Sequence, residues 1–287
     1  MLRIKYCIIL LLLTLCFVDE PTAASGQPND NKPSKHTIDS ILESENLISL
    51  GSTHATFYSS GFDVRAKTLQ RLVDDCAAYY EHGIIKKKFS IHLYILNRDD
   101  WEKLPVKLPY GLPFYDPDYD ILVIAAEKNA LAKLNGVKDF PETPDSVLTD
   151  FDYQPLHELG HYFFFTLNNI NKEKWFNEFL ATYFLICYIK DRKLAPGLQK
   201  ELLADYPVDH RNLEDFQNLY VAVGPKNYHW YQCKFAQLGF KLYPQFKTKL
   251  ITDVLGSYSH GGEKSDGITL LKKMSPGIIN EWLNEMQ

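Results

Sequence analysis

Residues 157–161 have the sequence His-Glu-Leu-Gly-His, and this segment says more about the fold than any other part of the chain. Residues four positions apart lie on one face of an α-helix, so His157 and His161 can reach the same metal ion. Glu158 is offset by one position and can face a water bound to that ion. Pro155 suits the first turn of such a helix, because the N–H that proline lacks would have no partner there. The pattern therefore predicts a metal-binding helix.

A second segment supplies a third candidate ligand. Residues 175–183 have the sequence Trp-Phe-Asn-Glu-Phe-Leu-Ala-Thr-Tyr, in which Glu178 stands 17 positions after His161. The polar stretch 168–174 is typical of a connection between two helices. Antiparallel helices joined in this way can bring Glu178 opposite the two histidines. Two imidazoles, one carboxylate and an open fourth position form the ligand set of a catalytic zinc site, so we expect one Zn²⁺ per chain.

These two segments together resemble the gluzincin metallopeptidases, especially the group of aminopeptidase N and leukotriene A4 hydrolase. In that group, HExxH is followed by a helix with a Trp-Leu-Asn-Glu-Gly-x-Ala-x-Tyr type of sequence, and the match here covers residues 157–183. The resemblance implies a zincin-like fold, a single zinc ion and hydrolysis of a peptide or protein substrate. It implies that His157, His161 and Glu178 are the metal ligands and that Glu158 is the general base.

The resemblance also implies a second electrophile on a later helix, which stabilises the oxyanion during hydrolysis. Residues 227–231, Asn-Tyr-His-Trp-Tyr, open a predicted helix of this kind. Tyr228 fits the position of the catalytic tyrosine best, and Tyr231 and His229 are alternatives. Aromatic packing alone would also explain Tyr228, since the chain has 18 tyrosines.

The sequence departs from the family pattern at three points. Phe179 replaces the glycine that usually follows the ligand glutamate, and Thr182 stands where thermolysin-like enzymes have an outer-shell acid. No Gly-x-Met-Glu-Asn element is present, and Glu127 is a poor substitute, so we do not expect an aminopeptidase. Three alternatives stay open: an inactive zincin-fold binding module, a zinc hydrolase of non-peptide amides or esters, and two histidines that merely lie on a helix surface.

The first residues predict export from the cytoplasm. Arg3 and Lys5 precede the apolar stretch 7–18, and small residues follow at 22–24, so residues 1–24 have the pattern of a signal peptide. We expect a secreted or periplasmic protein with a flexible polar leader at 25–36. Lipid anchoring at Cys16 is a weaker alternative, because Leu15 is larger than the residue that normally precedes a lipidated cysteine. No other stretch is long and apolar enough for a transmembrane segment.

The pattern of apolar residues predicts an α+β fold with two lobes. Residues 37–150 form an α/β lobe, with strands at 54–59, 89–96 and 121–126 and a helix at 63–82. Residues 151–287 form a mainly helical lobe, and the active-site cleft lies between the lobes. We predict that 121–126 is the upper cleft edge, where an extended peptide could add as a strand. The helices expected in the second lobe are 153–168, 173–191, 212–222, 226–242 and a pair within 268–285.

Composition narrows the range of partners. The chain has 287 residues, of which 31 are basic and 36 acidic, giving a net charge of −5. This balance provides no basic surface for nucleic acid.

The proline-rich stretch 105–120 should not pair regularly and is either a surface loop or a rim over the cleft. Once the signal is removed, Cys76, Cys187 and Cys233 remain, and we expect them to be small buried side chains.

Overall fold

The computed structural model of the chain describes residues 47–51, 54–85, 88–104, 108–134, 140, 142–167, 173–203, 205–258 and 266–286. The predicted signal peptide, residues 1–24, and the predicted leader, residues 25–36, lie outside these ranges. Within them, the protein has the predicted α+β class. A small mixed sheet precedes residue 126, and the structure after residue 150 is helical.

The sheet contains short strands whose order, among the described residues, is β1-β2-β3-β5-β4. The central strands β2, β3 and β5 are parallel, and β1 and β4 are antiparallel to their neighbours. β5 is wholly buried and β3 almost so, which agrees with the largely apolar sequence of both strands. The strand bounds are β1 Ile48–Leu50, β2 Thr56–Tyr58, β3 His92–Leu96, β4 Phe114–Asp116 and β5 Ile121–Ala125.

Two predictions about the edge of the sheet are wrong. The stretch 105–120 was expected not to pair, but Phe114–Asp116 within it forms β4, antiparallel to β5. Pro113 and Pro117 flank this strand rather than interrupt it, so they remove none of its ladder hydrogen bonds. Because β4 occupies the edge, β5 is an interior strand and not the cleft edge predicted for 121–126.

Helices make up most of the remaining described structure. The helix bounds are α1 Asp63–Tyr80, α2 Arg98–Trp101, α3 Ala130–Leu134, α4 Pro155–Thr166, α5 Lys174–Asp191, α6 Pro196–Leu202, α7 Leu213–Leu219, α8 Pro225–Phe246, α9 Lys249–Tyr258, α10 Gly267–Met274 and α11 Pro276–Glu285. Short 3₁₀ turns lie at Asp150–Tyr153, before α4, and at Tyr220–Val223, after α7. The predicted helices correspond, with shifted ends, to α1, α4, α5, α7, α8 and the pair α10 and α11. The sequence did not predict β1, α2, α3, α6 and α9.

Gly160 lets α4 and α5 approach each other closely. A Cβ atom at Gly160 would lie 3.0 Å from the Cα atom of Ala181 and 3.1 Å from its carbonyl oxygen. These are backbone atoms of α5, which cannot turn aside as a flexible side chain could. Gly160 precedes His161 directly, and Ala181 lies three positions after Glu178. The contact therefore sets the spacing between the helices that carry the predicted ligands.

Both parts of the chain contribute to the main hydrophobic core. Its buried side chains run from Tyr58 in β2 to Met286 after α11. Cys76, Cys187 and Cys233 are buried, as predicted, and none of the three is in a disulfide. Among the described residues, no helix combines the length and the apolar character that crossing a membrane requires.

Candidate metal centre

Helix α4 directs both histidines toward α5. The helix begins at Pro155, in the first-turn position that the sequence predicts for this residue. His157 is buried, and His161, one turn later, is partly exposed. Leu159 and Phe163 are buried in the main core and anchor the helix against the rest of the protein.

The structure brings the three predicted metal ligands together. His157 Nε2 lies 3.2 Å from Glu178 Oε2, and His161 Nε2 lies 3.6 Å from the same oxygen. The two Nε2 atoms are 3.1 Å apart. Three potential ligand atoms from two helices thus form a nearly equilateral triangle.

This triangle has the size that a tetrahedral zinc ion requires. Bonds of about 2.0–2.1 Å from zinc to nitrogen and oxygen imply a separation of about 3.3 Å between ligand atoms. The observed separations lie between 3.1 and 3.6 Å. The histidine rings are inclined to each other by 81°, so they approach the common point from different directions. The donor set and its spacing fit a zinc ion, and they leave a fourth position without a protein ligand among the described residues.

Glu158 follows His157 directly in α4, and its side chain is fully buried. Its Oε2 accepts a hydrogen bond of 3.3 Å from the backbone N–H of Tyr115 in β4. Its Oε1 is buried and has no hydrogen-bond partner among the described residues. Burial raises the pKa of Glu158 to about 8. The carboxyl group is therefore a better proton acceptor than an ordinary glutamate.

The three candidate ligands have pKa values shifted by their burial and by one another. Burial lowers the pKa of His157, although its contact with Glu178 acts in the opposite direction. Burial would also lower the pKa of His161, but the nearby Glu178 and Glu158 carboxyls outweigh it and the pKa is raised. Burial works against ionised Glu178, yet the two histidines hold its pKa well below the usual range. Glu178 is therefore the anion of the group.

Three further side chains contact the ligands from outside the triangle. The Tyr220 hydroxyl donates a hydrogen bond of 2.6 Å to Glu178 Oε1, and Gln232 Nε2 donates one of 2.8 Å to Glu178 Oε2. Thr182 Oγ1 lies 3.3 Å from His157 Nδ1 and donates to Gln232 Oε1 over 3.3 Å. The sequence analysis missed Tyr220 and Gln232. These residues lie 42 and 54 positions after Glu178, beyond the reach of any helical spacing.

The residues predicted to stabilise the oxyanion occupy different surroundings. Tyr228 is fully buried, and its ring lies 5.6 Å from that of Phe216 and 5.8 Å from that of Tyr220. The Tyr231 hydroxyl donates to the carbonyl oxygen of Asn212. His229 is buried next to Tyr206 and Cys233. The hydroxyl of Tyr220, which the sequence pattern did not single out, bonds directly to the candidate ligand Glu178.

The three residues at which the sequence departs from the family pattern, Phe179, Thr182 and Glu127, lie in different surroundings. Phe179 is fully buried, with its ring 6.0 Å from Phe176 and 5.8 Å from Tyr183, so its bulk is accommodated in the core. Thr182 contacts His157, at the position where a carboxylate would do so. Glu127 lies two positions after the end of β5 and lines a small, partly open pocket together with Arg65 and Asp152. None of the candidate metal ligands lines that pocket.

Searches of protein-family models, of curated proteins and of solved structures found no match for this chain.

Proposed function

We propose that this protein is a secreted, zinc-dependent metallopeptidase of the gluzincin type with a zincin-like fold. The observation that carries the proposal is the convergence of His157 Nε2, His161 Nε2 and Glu178 Oε2, all within 3.6 Å of one another. A structural zinc site has four protein ligands, whereas a set of three leaves one position for water or substrate. The buried Glu158 beside this set supplies the base that hydrolysis needs.

Each residue of the candidate centre has a role in the proposed reaction. His157, His161 and Glu178 would hold the ion, which would supply an acidified water and polarise the substrate carbonyl. Oε1 of Glu158 is the atom that would take up the proton released in hydrolysis, while Oε2 stays bonded to the Tyr115 N–H. It then passes the proton to the nitrogen of the leaving group.

The edge strand β4 is the part of the protein best suited to bind an extended peptide. β4 pairs with β5 on one side, and at Tyr115 its backbone N–H faces Glu158. A peptide that adds to a sheet edge forms main-chain hydrogen bonds with little dependence on side chains. Binding along β4 would carry the scissile bond past Glu158. This geometry favours peptides over small non-peptide amides or esters.

Tyr220 is better supported than Tyr228 as the group that stabilises the oxyanion. Its hydroxyl already bonds to a ligand carboxylate, and it can turn to a substrate oxygen in the open position. Tyr228 is fully buried, and its ring meets that of Tyr220 edge-on at 5.8 Å. We therefore propose Tyr220 for this role in place of the residue that the sequence pattern favours.

The proposal is tested by replacing Glu158 with Gln, which keeps the size of the side chain and removes its ability to accept the proton. Purified wild-type protein should contain one zinc ion per chain by elemental analysis and should cleave an unstructured protein substrate. Glu158→Gln should retain the zinc and lose about 10²- to 10⁴-fold in kcat. Glu102→Gln is the matched control, because Glu102 is 65% exposed and should leave both quantities unchanged.

The same measurements separate the alternatives. Zinc retained without cleavage by the wild type would favour a zincin-fold binding module. Cleavage of amide or ester model substrates but not of peptides would favour a different hydrolase. Wild-type protein without stoichiometric zinc would contradict the proposal as a whole.

A further inference from the structure

Thr182 and Gln232 connect two of the candidate ligands through a closed path of hydrogen bonds. The path runs from His157 Nδ1 to Thr182 Oγ1, from there to Gln232 Oε1, and from Gln232 Nε2 to Glu178 Oε2. All four side chains are at most 3% exposed. Because water has little access to the path, each group depends on the next one for its hydrogen bonds.

The donors and acceptors along this path can be assigned from the Glu178 end. The Glu178 carboxylate can only accept hydrogen bonds, so Gln232 must turn its Nε2 group toward it. Gln232 Oε1 then faces Thr182 and can only accept, so the single hydroxyl proton of Thr182 points to Gln232. With its proton committed, Thr182 Oγ1 can only accept from His157 Nδ1.

This assignment determines the tautomer of His157. Its Nδ1 carries the proton, and its Nε2 presents a lone pair to His161 Nε2 and Glu178 Oε2, which is the form that binds a metal ion. The reversed path would turn Gln232 Oε1 toward Glu178 Oε2, placing two acceptors 2.8 Å apart. It would also leave a proton on His157 Nε2, where the ion must bind.

We propose that Gln232 is a positioning residue that acts with Thr182, through which the Glu178 carboxylate holds His157 in its metal-binding tautomer. The path links ligands from both α4 and α5 to α8. It replaces the carboxylate that orients a ligand histidine in related sites with two neutral groups. This inference rests on the proposed zinc site, and it adds to that site Gln232, which the sequence pattern does not assign to it.

The test measures the dissociation constant of zinc by competition with a chelator. Thr182→Val removes the hydroxyl with little change in shape, and Thr182→Ser restores it. We expect Thr182→Val and Gln232→Leu to bind zinc about 10- to 100-fold more weakly, and Thr182→Ser to stay close to the wild type. Cys233→Ala, the adjacent position on α8, is the control and should not change zinc affinity, because Cys233 contacts His229 instead.

A double variant tests whether the two residues act as one unit. Because both belong to the same path, the double variant Thr182→Val, Gln232→Leu should bind zinc about as weakly as Gln232→Leu alone. If the two residues acted independently, the factors by which the single variants weaken zinc binding would multiply in the double variant. That result would overturn the shared path.

An NMR measurement on the wild type keeps the inference testable if a variant fails to fold. Zinc-loaded protein labelled with ¹⁵N-histidine should show a slowly exchanging Nδ1 proton of His157, with a cross-relaxation signal to the side chain of Thr182. The inference fails if this signal is missing, or if folded Thr182→Val and Gln232→Leu bind zinc as tightly as the wild type. Failure of the proposed function is a different result, since the wild type itself would then bind no zinc.

Discussion

Tyr220 has a backbone conformation that tyrosine rarely adopts, with φ 48° and ψ −115°. Such a conformation costs about 1–3 kcal/mol and persists only where the surroundings hold it. Here the hydroxyl bonds to Glu178, and the ammonium group of Lys174 lies 5.4 Å from the centre of the ring. The hydrogen bond to Glu178 is therefore one of the contacts that hold Tyr220 in this conformation.

Tyr220→Phe should lower kcat about 10²- to 10³-fold in zinc-saturated protein, because it removes the donor proposed for the oxyanion. Tyr228→Phe should keep nearly the wild-type rate, since its ring packing against Phe216 is retained. Steady-state kinetics at saturating zinc measures both variants. A large loss in Tyr228→Phe together with a normal rate in Tyr220→Phe would return the role to Tyr228.

The sequence predicts the residues of the candidate centre only where their spacing is local. His157, Glu158 and His161 follow from the geometry of one helix, and Glu178 follows from a short connection to the next. Tyr220 and Gln232 reach Glu178 across 42 and 54 residues. Their contacts depend on how α7 and α8 pack, and no periodic pattern encodes that packing.

At the scale of elements, the contact between α4 and α5 at Gly160 controls the spacing of the ligands. Gly160→Ala should destabilise the protein by about 1–3 kcal/mol, because the new methyl group would meet the backbone of Ala181 at 3.0 Å. We also expect weaker zinc binding, since the helices must separate. Urea unfolding and chelator competition measure the two effects.

Gly256→Ala is the matched control for this substitution. Gly256 lies within α9, and a Cβ there would meet nothing within 4 Å. Alanine should therefore stabilise the protein by up to about 1 kcal/mol through its higher helix propensity. If Gly160→Ala matched this behaviour and kept the wild-type zinc affinity, the close approach of α4 and α5 would have no role in the site.

The two strands that the sequence failed to predict are short and decided by their partners. β4 has three residues between two prolines, and β5 alone supplies its ladder. β1 also has three residues and pairs only with β2 among the described strands. Longer elements such as α5 carry their own apolar pattern and were predicted to within a residue.

At the scale of the whole molecule, His229 links stability to pH. It is buried in α8 beside Tyr206, and burial lowers its pKa to about 4. In the unfolded chain, a histidine has a pKa of about 6.5. Between pH 6.5 and 4, the histidine therefore binds a proton in the unfolded chain but not in the folded protein. The contribution of neutral His229 to the free energy of unfolding is therefore fully present above pH 6.5. It is lost as the pH drops toward 4, and the loss amounts to up to about 3 kcal/mol.

His229→Gln should flatten this dependence, as measured by urea unfolding at several pH values between 7 and 4. His82→Gln is the control, because it removes a histidine whose ring is exposed. An unchanged slope in His229→Gln would show that other groups cause the loss of stability in acid.

The α+β class follows from the order of strand and helix patterns along the chain, and the structure has it. The shared core between the sheet and the helices does not follow from the sequence, because it joins residues from Tyr58 to Met286. The function proposed here depends on that packing, since it brings β4 to Glu158 and α8 to Glu178.

The most direct test of the account is anomalous diffraction at the zinc edge from crystals of the zinc-loaded wild type. We predict one peak about 2.0–2.2 Å from His157 Nε2, His161 Nε2 and a carboxylate oxygen of Glu178. A zinc peak coordinated elsewhere, or a Glu178 side chain turned away from both histidines, would contradict the account.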